Sequence, residues 1–178
     1  LVGADALLLQ LETPLPVTLA AANRARPMGA LVIWDPAPAR DLPSEVFEAS
    51  DVMTPNQIEA ELLTSVRVTD AASAEAAADE LLKRGVGTAV VKLGAAGAYY
   101  ASESARGLVQ PFEVEAVDTI AAGDAFGGAL GVALARGQSV EDAIRYGCAA
   151  GALAVTKSGA QEAMPIHDEV AELLTVGA

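Results

Sequence analysis

Short apolar runs alternate along this chain with longer segments in which apolar residues recur at helical spacing. Four apolar runs are bounded by proline, glycine or acidic residues and therefore predict β-strands, at residues 6–11, 31–34, 51–54 and 89–93. Strands that alternate with helices in this way are typical of an α/β fold.

The helical pattern is clearest at residues 73–84, where Ser73 is the predicted N-cap and Gly85 the predicted stop. A pair of strands, 98–101 and 108–114, is expected to flank a turn at 102–107. The other helices are predicted at residues 17–26, 43–49, 57–63, 122–136, 140–157 and 168–175. No sequence repeat and no Gly/Ser-rich linker interrupts this order, so we expect one continuous α/β unit.

The charge balance narrows the range of functions. Of the 178 residues, 24 are Asp or Glu and 11 are Lys or Arg, which gives a formal net charge of −13. Such a chain repels the phosphates of nucleic acids and of anionic membrane surfaces, so neither is expected as a partner. With 52% hydrophobic and 20% charged residues, the chain is able to bury a core.

The first residues and the single cysteine set further expectations. The chain begins at Leu1, and residues 1–11 already have the character of an element interior without a basic segment before them, so no signal peptide is expected. No apolar run reaches the ~18 residues of a membrane-spanning helix. Cys148 is the one cysteine, which excludes an internal disulfide and a cysteine-based zinc site and fits a reducing cytoplasm.

The first group of candidate functional residues runs from Asp118 to Asp124, between a strand predicted to end near Val117 and a helix rich in Ala and Gly. Small residues at 121–123 allow an anion to approach the N–H groups of a helix start, where the helix dipole is positive. Asp124 would then stand beside that anion hole and take a proton from an attacking hydroxyl. The alternative is an ordinary close-packed helix start with an N-terminal carboxylate.

Three further motifs have both a functional and a structural interpretation. The glycines of residues 94–97 suit a nucleotide that approaches the backbone or a plain turn into a hairpin. Asn56 and Glu59 have the spacing of a capping box, and their oxygens also suit a hydrated Mg²⁺ near nucleotide phosphates. Glu12 follows a strand, where a carboxylate is able to accept hydrogen bonds from sugar hydroxyls or to be a surface acid.

Three side chains that often carry chemistry are given structural interpretations. His167 is the one histidine and is expected at the surface. Cys148 lies within a predicted helix of small residues, which favours a buried packing thiol. Trp34 ends a predicted strand and is expected in the core.

Six motifs support a family resemblance when they are taken in order: ADALLLQLETPL (4–15), DPAPAR (35–40), TPNQIEAELLT (54–64), KLGAAG (92–97), AVDTIAAGDAFGGAL (116–130) and VTKSGAQEAMP (155–165). Together they resemble the ribokinase-like (PfkB) carbohydrate kinases, over nearly the whole chain. The DTIAAGD segment is the most specific of them. The resemblance implies a three-layer α/β/α sandwich with a mostly parallel central sheet. Residues 1–178 would form the C-terminal, nucleotide-binding and catalytic part of a PfkB domain.

The reaction implied by the resemblance is ATP-dependent phosphorylation of a sugar, with D-ribose converted to D-ribose 5-phosphate as the expected case. Asp124 would be the catalytic base and would contact the sugar, and Glu12 would hold ribose hydroxyls. Ala121, Ala122 and Gly123 would form the anion hole. The residues expected at ATP are Asn56, Lys92, Leu93, Gly94, Ala95, Ala96, Gly97, Gly123, Asp124 and Cys148.

Two kinds of cation are implied as well. Asn56 and Glu59 would support Mg²⁺ through water molecules. A monovalent cation, usually K⁺, would lie beside the anion hole and be held mostly by backbone carbonyls. The positions that match this cation site are Asp118, Ile120, Ala154, Lys157, Gly159 and Ala163.

The chain also departs from the family pattern. Lys92 stands where a hydroxyl residue is common, Asp35 where Asn is usual, and Cys148 where His or Asn is often found. The glycine-rich motif, the sugar-binding Asp and the β-strand lid of the family's N-terminal part have no counterpart in these residues. We therefore expect a truncated form with weak activity, and a homodimer only for the full-length protein. The alternatives are a non-catalytic nucleotide-binding or assembly module, and a kinase for another sugar or nucleoside.

Overall fold

The computed structural model describes residues 2–176, which form two compact units. The first unit contains the residues up to Gly94 and Ala98–Leu108, and the second contains Ala95–Gly97 and the residues from Val109 onward. The pattern along the sequence predicts one continuous unit. The chain passes into the second unit at Val109, directly before residues 110–120, which have neither a helical nor a strand pattern.

The first unit is organised by a six-stranded sheet whose strands lie in chain order. Its strands are β1 Ala6–Leu9, β2 Leu31–Trp34, β3 Val52–Met53, β4 Thr88–Lys92, β5 Ala98–Ser102 and β6 Arg106–Val109. The first four strands are parallel, and β5 returns antiparallel to β4. The prediction of a mostly parallel sheet in an α/β fold is therefore confirmed.

Four helices connect these strands: α1 Leu15–Ala25, α2 Ser44–Glu48, α3 Gln57–Thr64 and α4 Ala71–Lys83. Right-handed crossovers between neighbouring parallel strands place successive helices on the same face of a sheet. The core at that face contains Trp34, Met53, Phe47 and Leu81, all of them buried. The expectation that Trp34 is a core residue is confirmed.

The second unit is helical, with α5 Ala122–Ala135, α6 Val140–Ala154 and α7 His167–Val176. Helices α5 and α6 pack closely because small residues line their contact. A Cβ atom at Gly147 would lie 3.0 Å from the Phe126 ring, and one at Gly151 would lie 3.3 Å from the Ala122 carbonyl oxygen. Across residues 2–176, the structure contains no helix that is both long and apolar enough to span a membrane.

Predictions of several element ends are wrong, and those for α4 and β6 are examples. Helix α4 begins at Ala71 with Asp70 as its N-cap, and Ser73 is the third helical residue, whose N–H donates to the Asp70 carboxylate at 2.8 Å. Strand β6 ends at Val109 rather than continuing to residue 114, and no strand forms near Val117 in the described structure. Pro111 has no N–H to donate to a sheet, which accounts for the early end of β6.

Candidate functional site

Polar side chains follow the parallel strands of the first unit at the points where the strands end. Asp35 comes directly after β2, Asn56 lies shortly after β3, and Lys92 is the last residue of β4. The Lys92 N–H donates to the Pro55 carbonyl at 2.8 Å, which ties the end of β4 to the start of α3. Glu12 lies beyond β1 and is exposed. The carboxyl edge of a parallel sheet is where α/β proteins usually bind ligands.

Asn56 and Glu59 form a complete capping box at the start of α3. The Glu59 N–H donates to Asn56 Oδ1 at 3.0 Å, and the Asn56 N–H donates to Glu59 Oε2 at 2.7 Å. Asn56 Nδ2 also donates to Glu59 Oε1 at 2.8 Å. The structural interpretation of this motif is confirmed, and the same bonds hold an amide and a carboxylate in a defined orientation at the sheet edge.

Glu59 is an unusual carboxylate because it is only 5% exposed. Burial raises its pKa from the ordinary value, and the hydrogen bond from the Asn56 backbone and the positive charge of Lys92 act in the opposite direction. The negative charge of Asp35 makes a smaller contribution that raises the pKa of Glu59. Asp35, Glu59 and Lys92 are thus electrostatically coupled at one edge of the sheet.

The two departures from the family pattern at residues 35 and 92 are bonded to each other. Lys92 Nζ donates to Asp35 Oδ1 at 3.1 Å and to Oδ2 at 2.9 Å. The Lys92 side chain is 17% exposed and the Asp35 side chain 14% exposed, so the ion pair is largely shielded from water. The sequence pattern marks both residues but does not pair them. Both residues lie at strand ends, which was the one sign in the sequence that they could meet. Their strands, β2 and β4, are not neighbours, because β3 lies between them.

The glycine-containing segment 94–97 is a tight turn that joins β4 to the antiparallel β5. Gly94 and Gly97 both have positive φ angles, of 59° and 87°, which favour glycine. A Cβ atom on Gly97 would also collide with the Val109 carbonyl oxygen. The turn interpretation is therefore confirmed, and Gly94, Ala95 and Ala96 are exposed at its tip.

Helix α5 begins as the sequence predicted, with Ala121 as its N-cap. The methyl side chain of Ala121 is unable to cap, and the N–H groups in the first turn of an α-helix have no carbonyl partner within that helix. Asp124 lies in this first turn and is exposed. It borders a cavity of about 320 Å³ within the second unit. The cavity is lined by Asp124, Ala125, Gly128, Ala129, Val132, Arg136, Tyr146, Ala150, Met164, Pro165, His167 and Val170.

Asp118 ties the segment before α5 to the segment after α6. Its Oδ1 accepts a hydrogen bond from the Ile120 N–H at 3.1 Å, and its Oδ2 accepts one from the Gly159 N–H at 3.2 Å. These two bonds lower the pKa of Asp118. The Val155 carbonyl in turn accepts from Val117 and Asp118, at 2.7 and 3.1 Å. These contacts account for the end of α6 at Ala154, three residues before the predicted end.

The remaining residues matched to a cation site are Ala154, Lys157 and Ala163. The Lys157 N–H donates to the Ala154 carbonyl at 3.3 Å. Its ammonium donates to Glu169 at 2.9 Å, which balances its positive charge. Ala163 ends a short 3-10 turn and is buried.

The other chemically notable side chains have clear surroundings. Burial raises the pKa of the Cys148 thiol to about 12, as expected for a packing thiol. His167 is exposed, as predicted, and its Nδ1 lies 2.7 Å from the Tyr146 hydroxyl oxygen. Sequence reasoning missed Tyr146 and Arg136, which share the cavity with Asp124, because a lone Tyr or Arg on a helix carries no motif.

Comparisons with known proteins place these motifs in a family. The pfkB family carbohydrate kinase model matches residues 1–167. The ribokinase of Haemophilus influenzae is 43% identical over 170 residues, and that of Staphylococcus aureus is 37% identical over 171. In both cases the match covers 96% of this chain and 56% of the relative. The chain therefore spans a little over half the length of these curated relatives.

Solved structures show the same similarity in three dimensions. A crystal structure of ribokinase from Thermotoga maritima matches with a TM-score of 0.86 at 40% identity, over 96% of this chain and 57% of that protein. Arabidopsis thaliana ribokinase, solved in complex with ribose and ATP, matches with a TM-score of 0.90 at 30% identity. The match covers 96% of this chain and 56% of that protein. The predicted ribokinase-like α/β fold is confirmed, and the chain belongs to the pfkB family of carbohydrate kinases.

Proposed function

We propose that this chain is the C-terminal, nucleotide-binding and catalytic part of an ATP-dependent kinase that converts D-ribose to D-ribose 5-phosphate. Residues 1–178 would all belong to the PfkB kinase domain. The observation that carries the proposal is the start of α5. The exposed carboxylate of Asp124 lies in the first turn of this helix, and the N-cap residue Ala121 makes no side-chain hydrogen bond to that turn. The similarity to a ribokinase that binds ribose and ATP supports the choice of substrates.

The proposed chemistry at α5 uses an exposed carboxylate and the N–H groups at the start of a helix. The Asp124 carboxylate accepts the proton of the sugar O5 hydroxyl as that oxygen attacks the γ-phosphorus of ATP. The new O5–P bond forms as the bond between the γ-phosphorus and the ADP oxygen breaks. The backbone N–H groups at Ala121, Ala122 and Gly123 would stabilise the negative charge on the transferring phosphoryl oxygens, with the Ala122 N–H giving up its 3.3 Å hydrogen bond to the Thr119 carbonyl. The cavity beside Asp124 leaves room for an acceptor next to the carboxylate.

The residues proposed to contact the nucleotide are those that the family resemblance names. Asn56 contributes its amide, and the backbone of Lys92, Leu93 and Gly94 contributes the edge of the turn. Ala95, Ala96 and Gly97 complete the turn. Gly123 and Asp124 face the phosphates, and Cys148 faces the adenine. The small side chains and the exposed tip of the turn allow close approach of a ligand to the backbone.

The residues present fit the two cations that the family implies. Mg²⁺, when bound, supplies positive charge that neutralises the phosphates. The oxygens of Asn56 and Glu59 are held by the capping box in an orientation that suits water-mediated support of such an ion. For a monovalent cation, Asp118 supplies a carboxylate while Ile120, Ala154, Lys157, Gly159 and Ala163 supply carbonyls. Because the Lys157 ammonium is bonded to Glu169, its carbonyl contributes without an opposing charge at the site.

The remaining parts of the proposal concern the sugar, the assembly and the compartment. Glu12, exposed beyond β1, would accept hydrogen bonds from ribose hydroxyls. We assign the activity to the cytoplasm, and we expect a homodimer for the full-length family member.

The experiment that tests the proposal uses the product of the complete open reading frame. Ribose-dependent formation of ADP would be measured beside a panel of other sugars and nucleosides. In Asp124→Asn, turnover should fall by about 10²–10⁴-fold, the usual contribution of a general base, while the Kd of ATP changes little. Equal turnover in the variant would exclude Asp124 as the base. ATP binding without turnover on any acceptor would favour a non-catalytic nucleotide-binding module.

A further inference from the structure

The ion pair between Asp35 and Lys92 lies at the carboxyl edge of the parallel strands. It lies at the carboxyl ends of β2 and β4, and the N–H of Lys92 is bonded to Pro55, directly before the capping box of Asn56 and Glu59. The two carboxylates and the one ammonium are therefore grouped around the start of α3.

The geometry of the pair indicates mutual neutralisation. Lys92 Nζ contacts both oxygens of Asp35, at 3.1 and 2.9 Å, and both side chains are more than four-fifths shielded from water. An ammonium held in this way does not act as a free positive charge. A carboxylate held in this way does not act as a free ligand for a cation.

We propose that Asp35 and Lys92 form a charge-balancing pair that keeps this edge of the sheet selective for a nucleotide together with its divalent cation. Lys92 prevents the carboxylates of Asp35 and Glu59 from binding a divalent cation alone. Asp35 prevents the Lys92 ammonium from binding free polyphosphate alone. This inference rests on the proposed function, because it takes the nucleotide phosphates to lie near Lys92.

The pair makes opposite predictions for its two single variants. Asp35→Asn leaves an excess positive charge, so ATP without Mg²⁺ should bind roughly tenfold more tightly and Mn²⁺ without nucleotide should bind more weakly. Lys92→Met leaves an excess negative charge, so ATP without Mg²⁺ should bind roughly tenfold more weakly and Mn²⁺ should bind more tightly. If the pair has only a structural role, both variants should bind both ATP and Mn²⁺ more weakly.

The test measures the Kd of ATP by calorimetry in the presence of a chelator, and the Kd of Mn²⁺ by electron paramagnetic resonance without nucleotide. The protein is the product of the complete open reading frame. Matched controls are Lys83→Met and Glu80→Gln, which remove the same charges from an exposed pair on α4 with an Nζ–Oε2 distance of 3.3 Å. Neither control should shift either Kd measurably.

In each single variant, we expect the Kd of ATP and the Kd of Mn²⁺ to change in opposite directions. The double variant, Asp35→Asn with Lys92→Met, should have Kd values between those of the two single variants. Shifts of both ligands in the same direction would overturn the proposal. If circular dichroism shows that Lys92→Met does not fold, Asp35→Asn alone decides by the same criterion. A wild-type protein that does not bind ATP in the presence of Mg²⁺ would overturn the proposed function as well, whereas binding of ATP with Mg²⁺ combined with parallel shifts in the variants would overturn the charge-balancing role alone.

Discussion

One oxygen of the Asp118 carboxylate accepts a hydrogen bond from the backbone N–H of Gly159 at 3.2 Å, although 41 residues separate them. The other oxygen accepts from the Ile120 N–H, one residue before the N-cap of α5. A single carboxylate thus connects the segment that leads into α5 with the segment that leaves α6. The position of the first turn of α5 depends on this connection.

The Asp118 tie predicts a specific dependence of stability on pH. Because its pKa is lower in the folded state than in the unfolded chain, its stabilising contribution is complete above about pH 4 and is lost as the pH falls through the folded pKa. Asp118→Asn should lower the Tm at neutral pH, and the difference from wild type should shrink in acid. Thermal unfolding from about pH 3 to pH 7 measures this. Asp41→Asn, at an exposed loop position, is the control, and an unchanged difference across the range would contradict the prediction.

The capping box of α3 permits a structural role to be separated from a ligand-binding one. Asn56→Ala should cost about 1 kcal/mol of stability through the lost cap. It should also weaken the affinity for ATP with Mg²⁺ by about tenfold, the value of one hydrogen bond to a charged group. Asp70→Ala removes the N-cap of the α4 capping box, so it should lower the Tm without changing the Kd of ATP. If both variants weaken ATP binding equally, Asn56 has only a structural role.

The turn between β4 and β5 depends on glycine to different degrees at its two ends. Gly97→Ala places a Cβ against the Val109 carbonyl oxygen in addition to a positive φ angle of 87°. Gly94→Ala meets nothing within 4 Å and has only its φ angle of 59° to accommodate. Gly94→Ala should therefore cost about 1 kcal/mol, and Gly97→Ala at least about 2 kcal/mol more. Urea unfolding of the two variants measures the difference, and equal losses would show that the Val109 contact relaxes freely.

The partial burial of Cys148, which raises the pKa of its thiol, predicts slow reaction in the folded protein. With a pKa of about 12, its thiolate fraction at pH 8 is roughly a thousandfold below that of an ordinary cysteine. A chromogenic disulfide reagent should therefore label the native protein slowly and the guanidinium-unfolded protein at the usual rate for a free thiol. Rapid labelling of the native protein would contradict the burial.

Local sequence signals accounted for most of the elements because each depends on neighbouring residues. The run 31–34 became β2 with the predicted bounds, since an uninterrupted apolar segment between turn residues has few alternatives to a buried strand. The start of α5 at Ala122 was likewise predicted. The N-cap of α4 was misplaced because Asp70 and Ser73 are both good caps and bond to each other, so only their geometry distinguishes them.

The sequence by itself determined the α/β class, the family and the candidate residues at strand ends and helix starts, because these follow from short-range pattern and motif. Only the tertiary structure decided which of those residues meet. Asp35 and Lys92 are 57 positions apart, and Asp118 and Gly159 are 41 apart. Their contacts depend on the order of the strands and on the close packing of α5 and α6, which no local pattern specifies. For that reason, two residues noted separately in the sequence became one ion pair in the structure.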